Sequence, residues 1–221
     1  MTSSPSSTFA YKFVSYCLVF PVFRFLFRGF TYGLKNVPLN GPLIIVANHG
    51  SHLDPPLLGH ALGRPISFMA KAELFQIPLL GFVIKACSAY PVRRGASDRE
   101  ALRLATKRLS KGWATGIFLD GTRQLNGKVN KPLPGAALLA ARSGSLLLPV
   151  AIINSHRAFS PGSWFPRFVP IHIRIGKPIP PPKSRKRNEL IETTKQLQES
   201  INDLLNKGIV SKSEKLKSID Y

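Results

Sequence analysis

The sequence predicts one layered α/β domain with a mostly parallel, mixed sheet flanked by helices, preceded by an N-terminal interfacial helical segment. Short apolar runs suited to buried strands alternate with amphipathic helical stretches, an alternation typical of layered α/β folds. Of the 221 residues, 44% are hydrophobic and 19% are charged, which is enough apolar material for one buried core. We therefore predict three parts: an N-terminal segment at residues 1–35, the α/β domain at 36–210 and a polar, mobile tail at 211–221.

The N-terminal segment is rich in aromatic residues between positions 11 and 30. Its uncharged run, from Phe13 to Phe23, is shorter than the roughly 20 apolar residues of a bilayer span. No small-residue cleavage site follows this run, as a signal peptide would require. We predict a membrane-interface segment whose aromatic side chains enter one leaflet while its basic side chains stay at the headgroups. An amphipathic helix packed on the domain's own core is the alternative. The basic residues are Lys12, Arg24 and Arg28.

The later elements follow from local patterns. Asp54 before two prolines is typical of a helix start, with the aspartate as N-cap. Apolar residues at helical spacing in the stretch 188–207 indicate an amphipathic helix. The predicted strands are Leu43–Ala47, Ile66–Ala70, Ala89–Val92, Thr115–Leu119, Leu146–Ile153 and Pro170–Ile175. The predicted helices span 54–62, 79–86, 97–111, 135–142 and 188–207.

The charge balance limits the class of partner. The chain has 31 Lys and Arg against 11 Asp and Glu, a formal net charge of +20. Such a charge serves solubility, steering or an anionic partner. Because nucleic-acid motifs and interleaved aromatic–basic strands are absent from the sequence, we expect an anionic membrane surface or a phosphorylated substrate, and no nucleic acid. Cys17 and Cys87 form no disulfide framework or metal-ligand spacing, so we predict reduced thiols, a cytoplasmic compartment and no metal.

Polar residues cluster where predicted strands end. In parallel sheets, ligands bind where loops leave the carboxyl ends of the strands. Four such ends carry His, Asp, Lys or Arg, so we predict one active site along this edge of the sheet. The four clusters are residues 48–54, 71–73, 93–95 and 120–123.

His49 and Asp54 are the candidate catalytic pair. Five residues separate them, which on a regular helix would turn them about 140° apart, but Gly50 and Ser51 permit a turn between them. A histidine held by a carboxylate is a general base. His52 is a weaker candidate because we expect it to point into the first helical turn. Since the chain has no G-x-S-x-G elbow, we predict that a substrate hydroxyl attacks an already activated donor such as a thioester.

Arg94 and Arg123 are candidates for binding a phosphate. Each lies close to a glycine, so a phosphate can approach the backbone while the guanidinium binds it in a fork. Lys71 could add a third positive charge. The stretch 121–128 lacks the spacing of a nucleotide-binding P-loop, so we do not predict ATP binding.

Four motifs in order resemble those of the glycerolipid acyltransferases, a family that includes the 1-acylglycerol-3-phosphate acyltransferases. Residues 48–54, Asn-His-Gly-Ser-His-Leu-Asp, match N-H-x-S-x-x-D. Residues 90–95, Tyr-Pro-Val-Arg-Arg-Gly, resemble F-P-V-D-R-G, and residues 118–124, Phe-Leu-Asp-Gly-Thr-Arg-Gln, resemble F-P-E-G-T-R-S. Residues 148–151, Leu-Pro-Val-Ala, match the V-P-V-A strand. The resemblance covers about residues 40–155.

The resemblance implies roles for these residues. His49 would deprotonate the acceptor hydroxyl, Asp54 would orient the imidazole, and backbone N–H groups would meet the oxyanion. The acceptor phosphate would be held by the arginines and the third motif. Two departures stand out: Leu119–Asp120 replaces Pro-Glu, and Arg93 replaces an aspartate, which leaves two adjacent arginines as alternatives. The phosphate-binding set is Arg94, Arg123, Gly121, Thr122, Asp120 and Lys71.

The resemblance also implies a reaction. An acyl group would move from acyl-carrier protein or coenzyme A, as co-substrate rather than cofactor, to the 2-hydroxyl of 1-acyl-sn-glycerol-3-phosphate, giving phosphatidic acid in phospholipid biosynthesis. Glycerol-3-phosphate or another lysophospholipid is the alternative acceptor. A basic, non-enzymatic membrane-binding protein is a further alternative. We expect a monotopic or peripheral protein on the cytoplasmic face of a membrane.

Overall fold

The computed structural model describes residues 9–86, 89–92, 98–159 and 165–217, in which seven strands form one sheet. Strands β2 to β6 run parallel, β7 is antiparallel to β6, and β1 runs parallel to β7. This arrangement confirms the predicted mostly parallel, mixed sheet. Its spatial order is β1-β7-β6-β2-β5-β3-β4. The strands are β1 (Phe30–Tyr32), β2 (Leu43–Ala47), β3 (Ile66–Lys71), β4 (Tyr90–Val92), β5 (Ala114–Phe118), β6 (Leu146–Ile153) and β7 (His172–Ile175).

The predicted strands and helices between residues 43 and 207 are all present, with described ends within two residues of the predictions. The predicted first residue of one helix, Ser97, lies outside the described residues. The helices are α1 (Phe9–Phe13), α2 (Asp54–Ala61), α3 (Pro78–Ala86), α4 (Asp98–Leu109), α5 (Gly135–Ser143), α6 (Ser155–Ala158), α7 (Arg187–Asn206) and α8 (Lys212–Lys217). Wide π-type turns lie at Val14–Val19 and Val22–Leu26, and 3₁₀ turns at Leu34–Asn36 and Ala72–Gln76.

Strand β2 lies at the centre of the sheet and is buried on both faces. Because side chains alternate along a strand, its residues enter two separate cores. Leu43 and Ile45 pack in one core with α2 and the end of the N-terminal segment. Ile44 and Val46 pack in the other with α4, α5 and α7. A helical layer therefore covers each face, as expected for a sheet whose central strands are continuous apolar runs.

The sheet begins earlier than the predicted boundary at residue 36. Strand β1 lies within the predicted N-terminal segment and pairs with β7, with Phe30 opposite His172. Three half-buried residues are too few to show a strand period, and they directly follow the aromatic run. The boundary between the N-terminal segment and the α/β domain therefore falls before β1 rather than after it.

One face of the N-terminal segment packs on α2. Val14, Phe23 and Phe27 are buried, and the Tyr11 hydroxyl donates to the Gly59 carbonyl at 2.6 Å. The other face is open to solvent and includes Phe25, which is 73% exposed. The packing on the domain that the alternative interpretation predicts therefore occurs together with an apolar surface that is largely exposed, although the rings of Tyr16 and Phe20 contact His60 of α2. We call this surface the exposed apolar face; it consists of Phe13, Tyr16, Leu18, Phe20, Val22, Phe25 and Leu26. Among the described helices, none is both long and apolar enough to cross a bilayer.

Residues 212–217 form helix α8, which contacts β7, in the stretch for which the sequence predicts a mobile tail from residue 211. Helix α8 places the Glu214 carboxylate against Arg174 of β7, with a hydrogen bond from each terminal guanidinium nitrogen at 2.8 and 2.9 Å. The Arg174 Nε also donates to the Gly208 carbonyl. Composition alone did not reveal this docking, because the partner of Glu214 is a buried arginine 40 residues earlier. Residues 218–221 lie outside the described residues.

A buried histidine beside α8 predicts acid-sensitive stability. The His172 Nδ1 accepts a hydrogen bond from the Val210 N–H at 2.6 Å. Burial first, and then the charges of Lys215 and Arg174, lower the pKa of His172 to about 4. Since the unfolded chain binds the proton at a pKa of about 6.5, folding stability falls as the pH drops from 6.5 toward 4.

We expect the His172 titration to remove about 2 kcal/mol of unfolding free energy between pH 7 and pH 5. Urea unfolding at both pH values measures the loss. The variant His172→Asn, whose amide oxygen can accept from Val210, should lack this part of the pH dependence. The pKa of Glu214 is lowered to about 2, mainly by Arg174, so its stabilising contribution is lost only below about pH 4.5. Equal pH dependence in wild type and variant would contradict the assignment to His172.

Candidate active site

The loop that leaves β2 is held by Asn48. This buried side chain donates from Nδ2 to the carbonyl oxygens of Gly127 and Ile152 at 2.8 and 2.9 Å. Its Oδ1 accepts from the Ile152 N–H at 2.8 Å. One amide side chain therefore joins the end of β2 to the end of β6 and to the loop after β5. The first residue of the predicted motif thus has an architectural role, which sequence reasoning did not assign.

The His49 imidazole and the Asp54 carboxylate meet, as predicted, with Nδ1 and Oδ2 at 2.8 Å. The same Oδ2 accepts from the backbone N–H groups of Gly50 and Ser51, each at 2.8 Å. An oxygen that already accepts two N–H bonds cannot donate, so Nδ1 of His49 carries the proton. The opposite nitrogen, Nε2, is therefore the basic atom of the ring.

Asp54 does not cap α2, which corrects the predicted N-cap. The N-cap position is Leu53, with no side-chain capping bond, and the carboxylate of Asp54 turns back toward the preceding loop. Proline in the first turn makes this tolerable, because it removes an N–H that would otherwise need a partner. Asp54 is 0% exposed, and its Oδ1 has no hydrogen-bond partner within the described part of the chain.

An aromatic stack orients the His49 ring. The ring lies over Phe118, the last residue of β5, with centroids 3.8 Å apart and planes 11° apart. Phe68 of β3 stacks behind Phe118. The His49 side chain remains 17% exposed, so a substrate can still reach it. Hydrogen bonding and stacking together restrict the rotation of the imidazole before any substrate binds.

Asp120 organises a loop. Its buried carboxylate accepts from the Asn130 N–H at 3.2 Å and from the Lys131 N–H at 2.9 Å. Both oxygens are thus occupied by the far end of the loop between β5 and α5, and a carboxylate repels a phosphate. These contacts give Asp120 a different role from the predicted contact with the acceptor. Gly121, at φ +67°, supplies the left-handed turn that starts the loop.

Arg123 lies beside the catalytic loop. The neighbouring Gln124 N–H donates to the His49 carbonyl at 2.8 Å, which joins the third motif to the first. The half-buried Arg123 has no hydrogen bond or ion pair to any other described residue, and Thr122 is exposed. Both side chains are therefore available to a ligand that binds at the loop which Gln124 joins to His49.

Lys71 and Arg94 are the two remaining predicted phosphate contacts. Lys71 is the last residue of β3, paired in register with Val92 at the end of β4, so its backbone lies at the same edge of the sheet as the catalytic loop. Arg94 and Arg93 lie outside the described residues. The structure thus brings together His49, Asp54 and residues 120–124, while the roles of Lys71 and Arg94 stay predictions.

His156 is a site residue that sequence reasoning missed. It lies in α6, after β6, and a Cβ added at Gly50 would fall 2.7 Å from its Cβ. A Cβ added at Gly127 would fall 2.3 Å from its Nδ1. Burial first and then Arg157 lower the pKa of His156, whereas the nearby Asp54 charge opposes this shift. The signal was available, because residues 154–158 also follow a strand end.

We expect Gly127→Ala to disturb the site through this contact. Alanine at φ +68° is strained by about 1–2 kcal/mol, and its methyl group would collide with His156. Displacing the loop also breaks the Asn48 bond to Gly127, so acyl transfer should fall together with stability. Thermal unfolding and initial rates measure both effects.

Two further variants define the cause of this effect. Gly135→Ala, in a helix with open space around the position, is the matched control and should behave as wild type. Adding His156→Ala to Gly127→Ala should recover part of the lost thermal stability, because it removes the collision. No recovery would show that the backbone strain alone is responsible.

Comparison with known proteins identifies the family. A model of the acyltransferase family, described as "Acyltransferase", matches residues 30–153. A chloroplastic 1-acyl-sn-glycerol-3-phosphate acyltransferase of Arabidopsis thaliana is 30% identical over 134 residues, 59% of this chain and 37% of that protein. The corresponding enzyme of Borreliella burgdorferi is 25% identical over 187 residues, 84% of this chain and 71% of that protein. The chain thus spans little more than a third of the plant relative.

Two other similarities concern the acceptor and the fold. A lyso-ornithine lipid O-acyltransferase of Pseudomonas aeruginosa is 38% identical over 114 residues, 50% of this chain and 43% of that protein. The crystal structure of a 1-acyl-sn-glycerophosphate acyltransferase from Thermotoga maritima superimposes with a TM-score of 0.73 at 28% identity, covering 92% of this chain and 80% of that one. Because the family match runs from β1 to the end of β6, and so contains both the His49–Asp54 pair and the loop held by Asp120, the chain belongs to the acyltransferase family.

Proposed function

We propose that this protein transfers a fatty acyl group from an acyl thioester to the 2-hydroxyl of 1-acyl-sn-glycerol-3-phosphate, giving phosphatidic acid for phospholipid biosynthesis. The observation that carries the proposal is the 2.8 Å contact between His49 Nδ1 and Asp54 Oδ2, which leaves Nε2 as the base. The names of the Arabidopsis and Borreliella relatives support the choice of acceptor.

The reaction needs one base and no covalent enzyme intermediate. Nε2 of His49 takes the proton from the acceptor hydroxyl as its oxygen attacks the thioester carbonyl carbon. Asp54 stabilises the imidazolium that forms. When the tetrahedral intermediate collapses, the C–S bond breaks, the new C–O ester bond remains, and the imidazolium can return its proton to the leaving thiolate. The N–H groups of Gly50 and Ser51 are bound to Asp54, so the oxyanion must be met by other donors.

Arg123 is our leading candidate for the acceptor phosphate, together with Gly121, Thr122 and Lys71, the last residue of β3, and with Arg94, which follows β4 in the sequence. Arg123 directly precedes Gln124, whose backbone N–H donates to the His49 carbonyl. A fork of N–H donors suits the planar array of phosphate oxygens. This assignment is independent of Asp120, whose carboxylate faces its own loop.

A second candidate acceptor is a lyso-ornithine lipid. The 38% identity to the Pseudomonas enzyme motivates it, and such an acceptor carries no phosphomonoester. The chemistry at His49 would be unchanged, but the arginine assignment would fail. Glycerol-3-phosphate and other lysophospholipids remain alternatives for the same dyad.

A matrix of donors and acceptors tests these proposals. Acyl-coenzyme A and acyl-carrier protein are each paired with 1-acylglycerol-3-phosphate, glycerol-3-phosphate, lysophosphatidylcholine and lyso-ornithine lipid. We expect Arg123→Gln to raise KM about tenfold or more for phosphomonoester acceptors, and to leave lyso-ornithine lipid unaffected. Preference of the wild type for lyso-ornithine lipid would overturn the phosphate assignment. Lipid binding without turnover of any donor would favour the non-enzymatic alternative.

Either donor suits the charge of the protein, and no cofactor is required. Coenzyme A carries phosphates and acyl-carrier proteins are acidic, so a net charge of +20 can steer both. We propose that one of them is the co-substrate. Added salt screens this attraction, so we expect kcat/KM to fall as ionic strength rises. Comparing the fall for acyl-coenzyme A and for acyl-carrier protein shows which donor is attracted more strongly by the charge of the protein.

We also propose that the protein acts as a peripheral or monotopic enzyme on an anionic membrane, at the cytoplasmic face. The exposed apolar face supports this location, because its seven side chains remain 37–73% exposed, even though the rings of Tyr16 and Phe20 also contact His60 near the end of α2. Deleting residues 1–30 would be a poor test, since it removes buried Phe23 and Phe27 and the first residue of β1.

Surface substitutions avoid this problem. We expect Tyr16→Ser combined with Phe25→Ser to weaken binding to phospholipid vesicles about 100-fold, because two large exposed side chains no longer enter the leaflet. The melting temperature should change little. A matched control, Ile191→Ser with Leu146→Ser, removes exposed apolar area elsewhere and should bind normally. If the first variant still sediments with vesicles, the basic surface rather than the aromatic segment is the anchor.

A further inference from the structure

A cavity of about 430 Å³ lies between the N-terminal segment and the end of α2. Its volume is within the range of small-ligand sites. Asn40 and Gly41, before β2, Pro65, before β3, and Gly112, before β5, contribute to its wall. The cavity is therefore at the amino edge of the parallel strands. It lies at the last turn of α2, whereas Asp54 is the first residue of that helix. It is distinct from the catalytic loop, which leaves the carboxyl edge.

The charged side chains that line this cavity are cationic. They are Lys12 and Arg64, beside His60, whose pKa is lowered by burial, and the lining contains no aspartate or glutamate. Arg64 is only 9% exposed, and its guanidinium donates to the carbonyl oxygens of Pro38 and Gly41. Within the described residues it has no carboxylate partner. Because buried guanidinium groups are normally paired with an anion, a bound anion would complete this cavity.

The walls of the cavity are held in place without a ligand. The Tyr11 hydroxyl lies 2.6 Å from the Gly59 carbonyl and 3.1 Å from the Arg64 carbonyl. These two contacts fix the N-terminal segment to the last part of α2 and to the loop that follows it. Ser15 Oγ and His60 Nδ1 lie 3.0 Å apart on the same wall. Lys12 is exposed and has no hydrogen bond or ion pair to the other described residues. A preformed cavity with an exposed cation, Lys12, at its wall is suited to capture an anion.

The cavity adjoins the exposed apolar face. Tyr16 belongs to both, since it lines the cavity and is 62% exposed. A ligand here would thus place its anionic group between Lys12 and Arg64 and any attached apolar part against the aromatic segment. This combination matches a phospholipid at the level where headgroups meet acyl chains.

We propose that this cavity is a binding site for the phosphate of an anionic phospholipid headgroup, with Lys12 and Arg64 as its cationic contacts. The site is separate from acyl transfer and does not depend on the identity of the acceptor. It would hold the N-terminal segment against α2 when the protein is on a membrane, which adds a specific lipid contact to the apolar one. Arg64 also has a structural role, because it fixes the loop before β2.

Vesicle binding by the full chain tests the site. Vesicles of phosphatidylcholine alone are compared with vesicles that contain phosphatidylglycerol. We expect Lys12→Gln to lose about tenfold in affinity for the phosphatidylglycerol vesicles and to bind phosphatidylcholine as the wild type does. Lys207→Gln removes the same charge at the end of α7, on the other face of the sheet, and should lose less than twofold. Equal losses in both variants would overturn the proposal in favour of diffuse attraction, and so would no loss in either.

A second measurement distinguishes a lipid headgroup from free phosphate. Thermal unfolding is followed with inorganic phosphate, with sodium chloride at equal ionic strength, and with short-chain phosphatidylglycerol. A rise in melting temperature with the lipid but not with inorganic phosphate identifies a headgroup site. This rise should be absent in Lys12→Gln and present in Lys12→Arg. Equal stabilisation by inorganic phosphate identifies a general phosphate site of the same chemistry. No stabilisation beyond sodium chloride in any arm refutes the site, and His49→Ala, in which acyl transfer is impaired, should bind like the wild type.

Discussion

Replacing His49 with alanine is expected to lower kcat for acyl transfer about 10³-fold, with little change in the KM for the acceptor. The variant loses the only ring nitrogen that the Asp54 contact leaves free to take the hydroxyl proton, and a positioned base contributes about 10²- to 10⁴-fold. The proposed phosphate contacts lie on other residues, so ground-state binding should persist. Initial rates with saturating donor and varied acceptor separate the two constants.

His52→Ala is the matched control for this experiment. His52 lies three residues further along the same loop and is exposed, so its loss should change kcat only a few-fold. Thermal unfolding of both variants shows whether the fold is intact. A purified His49→Ala protein that kept a tenth or more of the wild-type kcat would refute the role of His49 as base, and a large loss in His52→Ala would mean that the wrong histidine was chosen.

The core of this fold was predictable because its central strands are continuous apolar runs. Residues 43–47 and 147–153 are buried throughout, so their hydrophobicity is unbroken, and each run begins just after a Gly or Pro and ends at an Asn. Strand β1 and helix α8 were missed for a shared reason. Each is short, and each is stabilised by a partner far along the chain: β1 by β7, and α8 by Arg174. Local patterns do not contain such information.

The active site was predictable to the level of residue pairs. Spacing alone showed that His49 and Asp54 can meet only at a turn, and they do meet there. Spacing could not show which way each carboxylate points. Asp54 was expected to cap α2 and instead accepts from the residues before it, and Asp120 was expected near the acceptor and instead holds residues 130 and 131. His156 was missed although it follows the end of β6, because its position beside Gly50 and Gly127 depends on how the loops after β2, β5 and β6 pack together.

Asp54→Asn should separate the charge of Asp54 from its hydrogen bonds. All three bonds to Asp54 end on one oxygen, Oδ2, while Oδ1 has no partner among the described residues. An asparagine can place its amide oxygen at the Oδ2 position and keep the bonds to His49, Gly50 and Ser51. Its NH₂ group would occupy the unpartnered position, so we expect only a modest change in stability.

The catalytic effect of the same change should be large. Without the negative charge, the imidazolium formed during proton transfer is no longer stabilised, and we expect kcat to fall about 10³-fold or more. Asp54→Ala should be as slow and also less stable by about 3–5 kcal/mol, since two backbone N–H groups in a buried turn lose their acceptor. We therefore expect Asp54→Asn and Asp54→Ala to lose similar amounts of kcat, but Asp54→Ala to lose more unfolding free energy.

Chemical denaturation and steady-state kinetics on both proteins decide between the two roles of Asp54. If Asp54 only shaped the loop, Asp54→Asn would retain most of the wild-type kcat, because the three hydrogen bonds survive. If it acted only through charge, Asp54→Ala would be about as stable as Asp54→Asn. We expect neither outcome. The buried Asp54 carboxylate is bonded to one imidazole and two N–H groups, so its charge serves the reaction while its acceptor oxygen serves the fold.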